Sequence, residues 1–146
     1  MFKHLLVPVD GSPTAMLAVD KAAGLARAFG SAVTLVSVVD NYPFTGLGGD
    51  YVFGQVEYLT AATANANAAL DKAEQALAAQ GVKATGRRVI EEHVIHDGIL
   101  GAVADTGADL VVMGSHGRHG LEKLLLGSVT LRVLGRSTVP VLVVRA

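Results

Sequence analysis

The sequence contains no cysteine and no tryptophan, and its other aromatic residues are only three tyrosines and four phenylalanines. The lack of cysteine excludes disulfides, thiolate zinc sites, iron–sulfur clusters and cysteine nucleophiles. The 12 basic residues nearly balance the 13 acidic ones, so no broad basic surface is expected and nucleic acid is not an expected partner. No apolar run approaches the roughly 18 residues of a membrane span, and the first run is too short for a signal peptide. We therefore expect a cytoplasmic protein without membrane insertion.

Apolar residues make up 51% of the 146 residues, which is enough for one compact domain over residues 1–146. Short unbroken apolar runs, typical of strands buried on both faces, alternate with segments whose apolar residues recur at helical spacing. This alternation predicts an α/β fold: a single doubly wound, five-stranded parallel sheet of Rossmann-like type, with strand order 3-2-1-4-5 and helices on both faces. The predicted strands are residues 5–9, 32–39, 82–90, 109–113 and 139–144.

Capping residues and apolar stripes define the predicted helices. Ser12 is a predicted N-cap, with Pro13 at the first helical position and Gly30 at the end of this helix. An apolar stripe between Val56 and Leu77 predicts a long second helix, which packs either on the sheet or against a coiled-coil partner. Two shorter helices are predicted near residues 95–106 and 128–136.

Residues 40–55 connect the second strand to the long helix and are rich in glycine and aromatic residues. This composition is typical of a loop and not of a regular element, and we expect it to be mobile. Two interpretations of its aromatic side chains stay open: they cover a bound ligand, or they anchor the loop to the domain.

In a doubly wound sheet, a ligand binds beyond the carboxyl ends of the strands, where the strand order reverses. For order 3-2-1-4-5 this reversal lies between the first and fourth strands. The segments that leave these two strands are residues 10–12 and 114–117, and both are rich in turn-forming residues. The predicted topology therefore brings these two segments together at a candidate binding site.

The second of these segments begins the pattern G-x2-G-x9-G-[ST], formed by Gly114, Gly117, Gly127 and Ser128. Glycines let backbone N–H groups approach a phosphate, the N-terminus of the helix that Ser128 opens attracts anions, and the hydroxyls of Ser128 and Thr130 can add donors. The chain has neither a G-x4-G-K-[ST] motif nor a G-x-G-x-x-G motif after its first strand. The alternative interpretation is that these glycines only form turns and caps.

Several polar residues have both a structural and a functional interpretation. Asp10 either caps a turn or contacts a ligand. The groups His93-x-x-His96-Asp97 and His116-x-x-His119 with Glu122 have metal-ligand spacing but lack the H-E-x-x-H arrangement, so we expect no metal site. His116 is also placed to donate a hydrogen bond to a phosphate.

The segments HLLVPVDGS at residues 4–12, ADLVVMGSHGRHGLEKLLLGSVT at residues 108–130 and VPVLVVRA at residues 139–146 resemble the ATP-binding branch of the universal stress protein family. The resemblance covers essentially the whole chain and implies a site for ATP with Mg²⁺. Two groups of residues are implied near the nucleoside and the phosphates, and the two residues before Asp10 are included in the same site. The nucleoside group is Asp10, Val38 or Val39, Met113 and Gly114; the phosphate group is His116, Gly117, Gly127, Ser128, Val129 and Thr130; the two added residues are Pro8 and Val9.

No motif places an acid to activate water, although Arg118 and Lys123 are available as counter-charges, so we expect slow hydrolysis at most. The apolar strand Val139–Val144 lies at a predicted sheet edge, where pairing with a second copy would form a homodimer unless the protein's own helices shield it. The expected function is a nucleotide-sensing stress-response homodimer that acts on an unidentified protein partner. The alternatives are a nucleotide-independent adaptor or scaffold dimer, and a Mg²⁺-dependent nucleotide hydrolase that uses Asp10.

Overall fold

The computed structural model describes residues 1–41, 52–117 and 125–146, without the side chains of residues 52 and 53. In these residues, strands and helices alternate along the chain as the sequence predicts. None of the described helices is both long and apolar enough to cross a membrane. The elements are β1 (His4–Pro8), α1 (Pro13–Phe29), β2 (Ala32–Val39), α2 (Val52–Ala79), β3 (Gly86–Glu91), α3 (Ile95–Thr106), β4 (Leu110–Gly114), α4 (Ser128–Arg136) and β5 (Val141–Val144).

The strands form one parallel sheet in the order β3-β2-β1-β4-β5, which confirms the predicted topology. Strand β1 lies in the middle, where Leu6 is paired with Thr34 of β2 and with Val111 of β4. Its side chains are buried on both faces of the sheet. This explains why the strand is an unbroken apolar run without the alternation of a half-exposed strand.

Helices cover the two faces of the sheet in pairs. On one face of the sheet, Leu5 packs with residues of α1 and α2 such as Leu70. On the other face, Leu6 packs with Ile99 of α3 and Val133 of α4. Successive side chains of a strand point to opposite faces, so one short apolar strand supplies both cores.

The boundaries of α1 confirm the capping residues that the sequence predicts. Ser12 is the N-cap, and its Oγ accepts a hydrogen bond from the backbone N–H of Ala15 at 3.2 Å. Pro13 is the first helical residue, and Gly30 ends the helix with a φ of 65°. Such a left-handed conformation favours glycine because it carries no Cβ.

The structure differs from the sequence predictions in the extent of three elements. Helix α2 begins at Val52, inside the segment predicted as a loop, and residues 42–51 of that segment lie outside the described residues. Strand β3 begins only at Gly86, because residues 80–85 connect it to α2 and the N–H of Val82 donates to the carbonyl of Leu77 in the turn that ends the helix. Strand β5 begins at Val141 because residues 137–140 form a turn.

The apolar stripe of α2 is also only partly buried. Leu70 and Leu77 are fully buried against the sheet, whereas Val56 is 58% exposed. The C-terminal half of the helix therefore packs on the sheet, as the first interpretation of the stripe predicts. The stripe continues past the sheet because the helix is longer than the strands on which it lies.

Candidate functional site

A cleft of about 820 Å³ opens at the carboxyl ends of β1, β2 and β4, between α2 and α3. This is the point where the strand order reverses, and its volume is in the range of ligand pockets. The structure brings together in this cleft every residue that the sequence predicts for a nucleotide site. These lining residues are Pro8, Val9, Asp10, Val38, Val39, Met113, Gly114, His116, Gly117, Gly127, Ser128, Val129 and Thr130.

Asp10 lies directly after β1, and its two carboxylate oxygens have different surroundings. Oδ1 accepts a hydrogen bond from the backbone N–H of Ser12 at 2.9 Å and so shapes the turn before α1. Oδ2 lies on the side of Gly117, where a Cβ atom would come within 2.7 Å of it. Both interpretations of Asp10, the turn-former and the residue that faces the cleft, are therefore compatible with its position.

The segment after β4 is fastened to the start of α4 by hydrogen bonds. The N–H of Gly127 donates to the carbonyl of Ser115 at 2.7 Å, and the hydroxyl of Thr130 donates to the carbonyl of Gly114 at 2.9 Å. Thr130 is almost completely buried. Its hydroxyl hydrogen is used inside the protein, so Thr130 holds the segment after β4 to the start of α4.

The glycines of the motif have different physical roles. A Cβ atom on Gly114 would lie 2.9 Å from the backbone carbonyl carbon of Thr14, so this glycine allows α1 to approach β4 closely. A Cβ atom on Gly127 would lie 3.3 Å from the carbonyl oxygen of Ser115. Gly114 and Gly127 thus allow close packing, while Gly117 leaves space in front of Asp10.

The N-terminus of α4 lies at the cleft, and its N-cap residue Gly127 makes no side-chain cap hydrogen bond. The N-terminus of α1, by contrast, is capped by the hydroxyl of Ser12. The first N–H groups of a helix have no partner within the helix, and together with the helix dipole they attract anions. Ser128 and Val129 therefore form the part of the cleft best suited to a phosphate.

The charged side chains in the cleft are acidic. Among the described lining residues, Asp10 and Asp40 are the carboxylates and none is a lysine or an arginine. The Nδ1 atom of His116 lies 3.0 Å from the hydroxyl of Ser115, which orients the imidazole ring. Arg118 and Lys123, the counter-charges that the sequence suggests, lie outside the described residues.

Comparison with known proteins agrees with this geometry. The Universal stress protein family profile matches residues 1–145. The chain belongs to this family. It is 34% identical over 145 residues to universal stress protein MJ0531 of Methanocaldococcus jannaschii, an alignment that covers 99% of this chain and 83% of the relative.

Two solved structures extend the comparison to the fold of this universal stress protein. Protein MJ0577 of the same archaeon is similar with a TM-score of 0.84 and 30% identity, over 100% of this chain and 97% of that one. A universal stress protein in complex with cAMP is similar with a TM-score of 0.71 and 25% identity, over 98% of this chain and 97% of that one. The shared architecture therefore extends over nearly the whole length of each protein.

His93 and His96, the first histidine group with metal-ligand spacing, each lie near one carboxylate. The distance from His93 Nδ1 to Asp40 Oδ1 is 4.0 Å, and that from His96 Nε2 to Asp97 Oδ1 is 3.5 Å. No group of three metal-ligating side chains is found in the part of the chain that the structure describes. The second candidate group includes His119 and Glu122, which lie outside that part.

The sequence predictions missed the side walls of the cleft, which α2 and α3 supply. Gly98 lets α3 pack tightly on β2, since a Cβ atom there would lie 2.9 Å from Cγ1 of Val38. The apolar patterns of α2 and α3 identify the residues that face the core. They do not identify which part of each helix extends past the sheet and lines the cleft. The lining residues outside the predicted set are Ala15, Ser37, Asp40, Tyr58, Ala61, Ala62, Asn65, Ala66, Ile95 and Ile99.

An ion-pair network holds α2 against the edge strand β3 and so fixes one wall. Nη1 of Arg87 lies 2.6 Å from Oδ1 of Asp71 and 3.4 Å from Oε2 of Glu74, and Nη2 donates to Oδ1 of Asn67 at 2.9 Å. The hydrogen bond with Asp71 raises the pKa of Arg87 above its ordinary value. The polar composition of β3 thus reflects both its edge position and its contact with α2.

Proposed function

We propose that this universal stress protein binds ATP, with Mg²⁺, in the cleft and acts as a nucleotide-sensing homodimer in the stress response. The observation that carries the proposal is the convergence of residues 8–10, 38–39, 113–117 and 127–130 on one cleft at the strand-order reversal. The relative solved with cAMP supports an adenine nucleotide as the ligand class.

The cleft has two chemically different ends that match the two ends of a nucleotide. At the β4 exit, Gly117 and the start of α4 offer backbone N–H groups to phosphate oxygens. Toward β2, the apolar side chains of Val38, Ile99 and Met113 offer a surface for a flat heterocycle. We therefore assign the phosphates to the β4 exit and the nucleoside to the β2 side.

The residues present fit a divalent cation that arrives with the nucleotide. Asp10 provides a carboxylate beside the proposed phosphate end, and Mg²⁺ prefers carboxylate, phosphate and water oxygens. The described lining residues include no lysine or arginine, so a cation bound with Asp10 would reduce the repulsion between triphosphate and carboxylates. When bound, Mg²⁺ supplies positive charge near the phosphates.

Sensing requires that the free and the bound protein differ at a surface that a partner can contact. Ser128 at the start of α4 lines the cleft and is also exposed at the molecular surface. We propose that the nucleotide changes the surface at the start of α4 and that an unidentified protein partner binds the nucleotide-bound form. Slow hydrolysis would return the protein to its free state.

The homodimer proposal rests on β5, which pairs with β4 on one side and is the last strand of the sheet. Leu142 of this strand is 40% exposed. An edge strand with unpaired N–H and C=O groups and an exposed apolar side chain is suited to pair with a second copy. A two-fold axis beside β5 would join the two sheets through the same strand of each protomer.

The first experiment is to denature freshly purified protein and identify any released nucleotide by chromatography. Protein that emerges empty is titrated calorimetrically with ATP, AMP and GTP in the presence and absence of Mg²⁺. Stoichiometric bound ATP, or ATP binding that Mg²⁺ strengthens, is the expected result. An empty protein that binds none of the three nucleotides would contradict the proposal and favour the adaptor. Steady-state phosphate release that is lost in Asp10→Ala would favour the hydrolase.

A further inference from the structure

Helix α2 supplies one wall of the cleft, and the polar side chains of this wall are those of Tyr58 and Asn65. The other lining residues of the helix are the alanines Ala61, Ala62 and Ala66. The wall that α3 supplies is apolar, since it consists of Ile95 and Ile99. The side chain of Asn65 is exposed, and its amide can both donate and accept a hydrogen bond. The two walls therefore differ in chemistry, and α2 is the one suited to a polar group of the ligand.

The direction in which Asn65 points follows from the helical repeat. Asn67, two residues further along α2, accepts a hydrogen bond from Arg87 and so faces the edge strand β3. Two residues correspond to a rotation of about 200° around an α-helix, so Asn65 lies on the side of α2 opposite to Asn67. Tyr58 lies two turns before Asn65 on the same side, and both line the cleft. Asn65 therefore points away from β3 and toward the middle of the cleft.

The height of Asn65 above the sheet follows from a close approach between α2 and the segment after β1. A Cβ atom on Gly11 would lie 3.7 Å from the Cβ atom of Ala69, so α2 passes the carboxyl end of β1 at this residue. At about 1.5 Å per residue, Asn65 lies roughly 6 Å beyond this end and Tyr58 roughly 16 Å beyond it. Asn65 is thus level with a ligand group directly beyond β1, whereas Tyr58 lies nearer to the mouth of the cleft.

The sugar is the part of a bound nucleotide expected at this level. Strand β1 lies between β2 and β4 in the sheet. With the phosphates at the β4 exit and the heterocycle toward β2, the ribose that joins them lies beyond β1. Its hydroxyl groups both donate and accept hydrogen bonds, as the amide of Asn65 does. The apolar wall of α3 offers no such partner, so the ribose hydroxyls are best matched by α2.

We propose that Asn65 is a specificity-determining residue whose side-chain amide forms a hydrogen bond with a hydroxyl group of the ribose. This inference rests on the proposed function, because it assumes that a nucleotide occupies the cleft in the orientation given above. A site that forms a hydrogen bond with a hydroxyl of its ligand discriminates against the analogue that lacks this hydroxyl. Asn65 therefore makes the cleft selective for the complete ribose over a deoxy sugar.

The test compares wild-type protein with Asn65→Ala by calorimetric titration with ATP, 2′-deoxyATP and 3′-deoxyATP, each with Mg²⁺. The wild type is expected to bind ATP about tenfold more tightly than the analogue that lacks the contacted hydroxyl. In Asn65→Ala, ATP binding should weaken about tenfold, while binding of that analogue should change less than about twofold. The preference for the complete ribose is then lost in the variant.

Asn67→Ala is the matched control, because it makes the same substitution two residues away on the side that faces β3. It should leave the preference for ATP over both deoxy analogues unchanged. The midpoint of thermal unfolding of Asn65→Ala without ligand should be equal to or higher than that of the wild type, since the side chain is exposed and alanine favours the helix. This result would separate recognition from a structural role.

Two results would overturn the inference while leaving the proposed function intact. The first is equal affinity of the wild type for ATP and both deoxy analogues. The second is an equal loss of affinity for all three ligands in Asn65→Ala, since a lost contact with a ribose hydroxyl cannot weaken the analogue without that hydroxyl. Wild-type protein that binds none of the three nucleotides would overturn both the inference and the proposed function.

Discussion

A Cβ atom on Gly117 would lie 2.7 Å from Oδ2 of Asp10. The segments that follow β1 and β4, more than one hundred positions apart in sequence, thus approach so closely that only a hydrogen atom fits between them. This contact forms at the reversal of strand order and defines the part of the cleft where we place the phosphates.

Gly117→Val is expected to weaken ATP binding roughly 10- to 100-fold while the protein remains folded. The added side chain fills the space beside Asp10, and the atom that it meets first is the end of a side chain that can rotate away. Calorimetric titration with ATP and Mg²⁺ gives the affinity, and circular dichroism verifies the fold. Gly24→Ala is the control, since a Cβ atom there has open space. Wild-type affinity in Gly117→Val would contradict the proposed position of the phosphates.

Gly114→Ala is expected to affect stability more than Gly117→Val does. Its Cβ atom would lie 2.9 Å from the backbone carbonyl carbon of Thr14, and backbone cannot move without shifting α1 away from β4. We expect a loss of about 1–3 kcal/mol in the free energy of unfolding, measured by urea denaturation. Gly101→Ala in α3, where a Cβ atom meets nothing, should be neutral or stabilising. Equal free energies of unfolding for Gly114→Ala and Gly101→Ala would show that α1 does not constrain position 114.

Asp109→Asn is expected to change the pH dependence of stability. The carboxylate of Asp109 accepts hydrogen bonds from the N–H groups of Lys3 and His4, both at 2.9 Å, and the bond from Lys3 is the main reason why the pKa of Asp109 is lowered. A carboxyl group with a lowered pKa in the folded state contributes stability above its ordinary pKa of 3.8, and this contribution is lost as the pH falls through the folded-state pKa.

At neutral pH we therefore expect Asp109→Asn to be less stable than the wild type by about 1 kcal/mol, because the side chain is partly exposed and the amide can still accept one bond. Below about pH 4 the difference should shrink as the wild-type carboxylate is protonated. Urea denaturation from pH 7 to pH 2.5 measures both effects. A difference that is constant over this range would mean that the charge of Asp109 does not contribute.

Leu142→Lys is expected to convert a β5-mediated dimer into a monomer, because two copies of the new charge would meet near the two-fold axis. Leu17 on α1 has the same 40% exposure, so Leu17→Lys is a matched control that should leave the dimer intact. Sedimentation equilibrium of the wild type and both variants gives the molecular mass. A wild-type monomer, or a dimer that survives in Leu142→Lys, would exclude pairing through this strand.

The sequence predicts much of the candidate site because local patterns carry topological information. Apolar runs and capping residues such as Ser12 and Gly30 locate strands and helices, and the parallel order then places the segments after β1 and β4 side by side. For Thr130, the structure adds a contact that the motif does not predict, since its hydroxyl donates to the carbonyl of Gly114. A motif specifies residue types but not which polar atom is already used within the protein.

The positions of the strands, of the crossover helices and of the segments at the strand ends were determined by the sequence itself, since apolar runs and helix caps are patterns of residues close in the chain, and the alternation of these elements then favours the parallel order. Only the tertiary structure decided the side walls of the cleft and the close approach of Gly114 to Thr14. These features depend on how α1, α2 and α3 lie on the sheet. The distances between these helices and the sheet are set by packing between residues remote in sequence. One periodic apolar pattern is compatible with many such arrangements, so the sequence alone does not select among them.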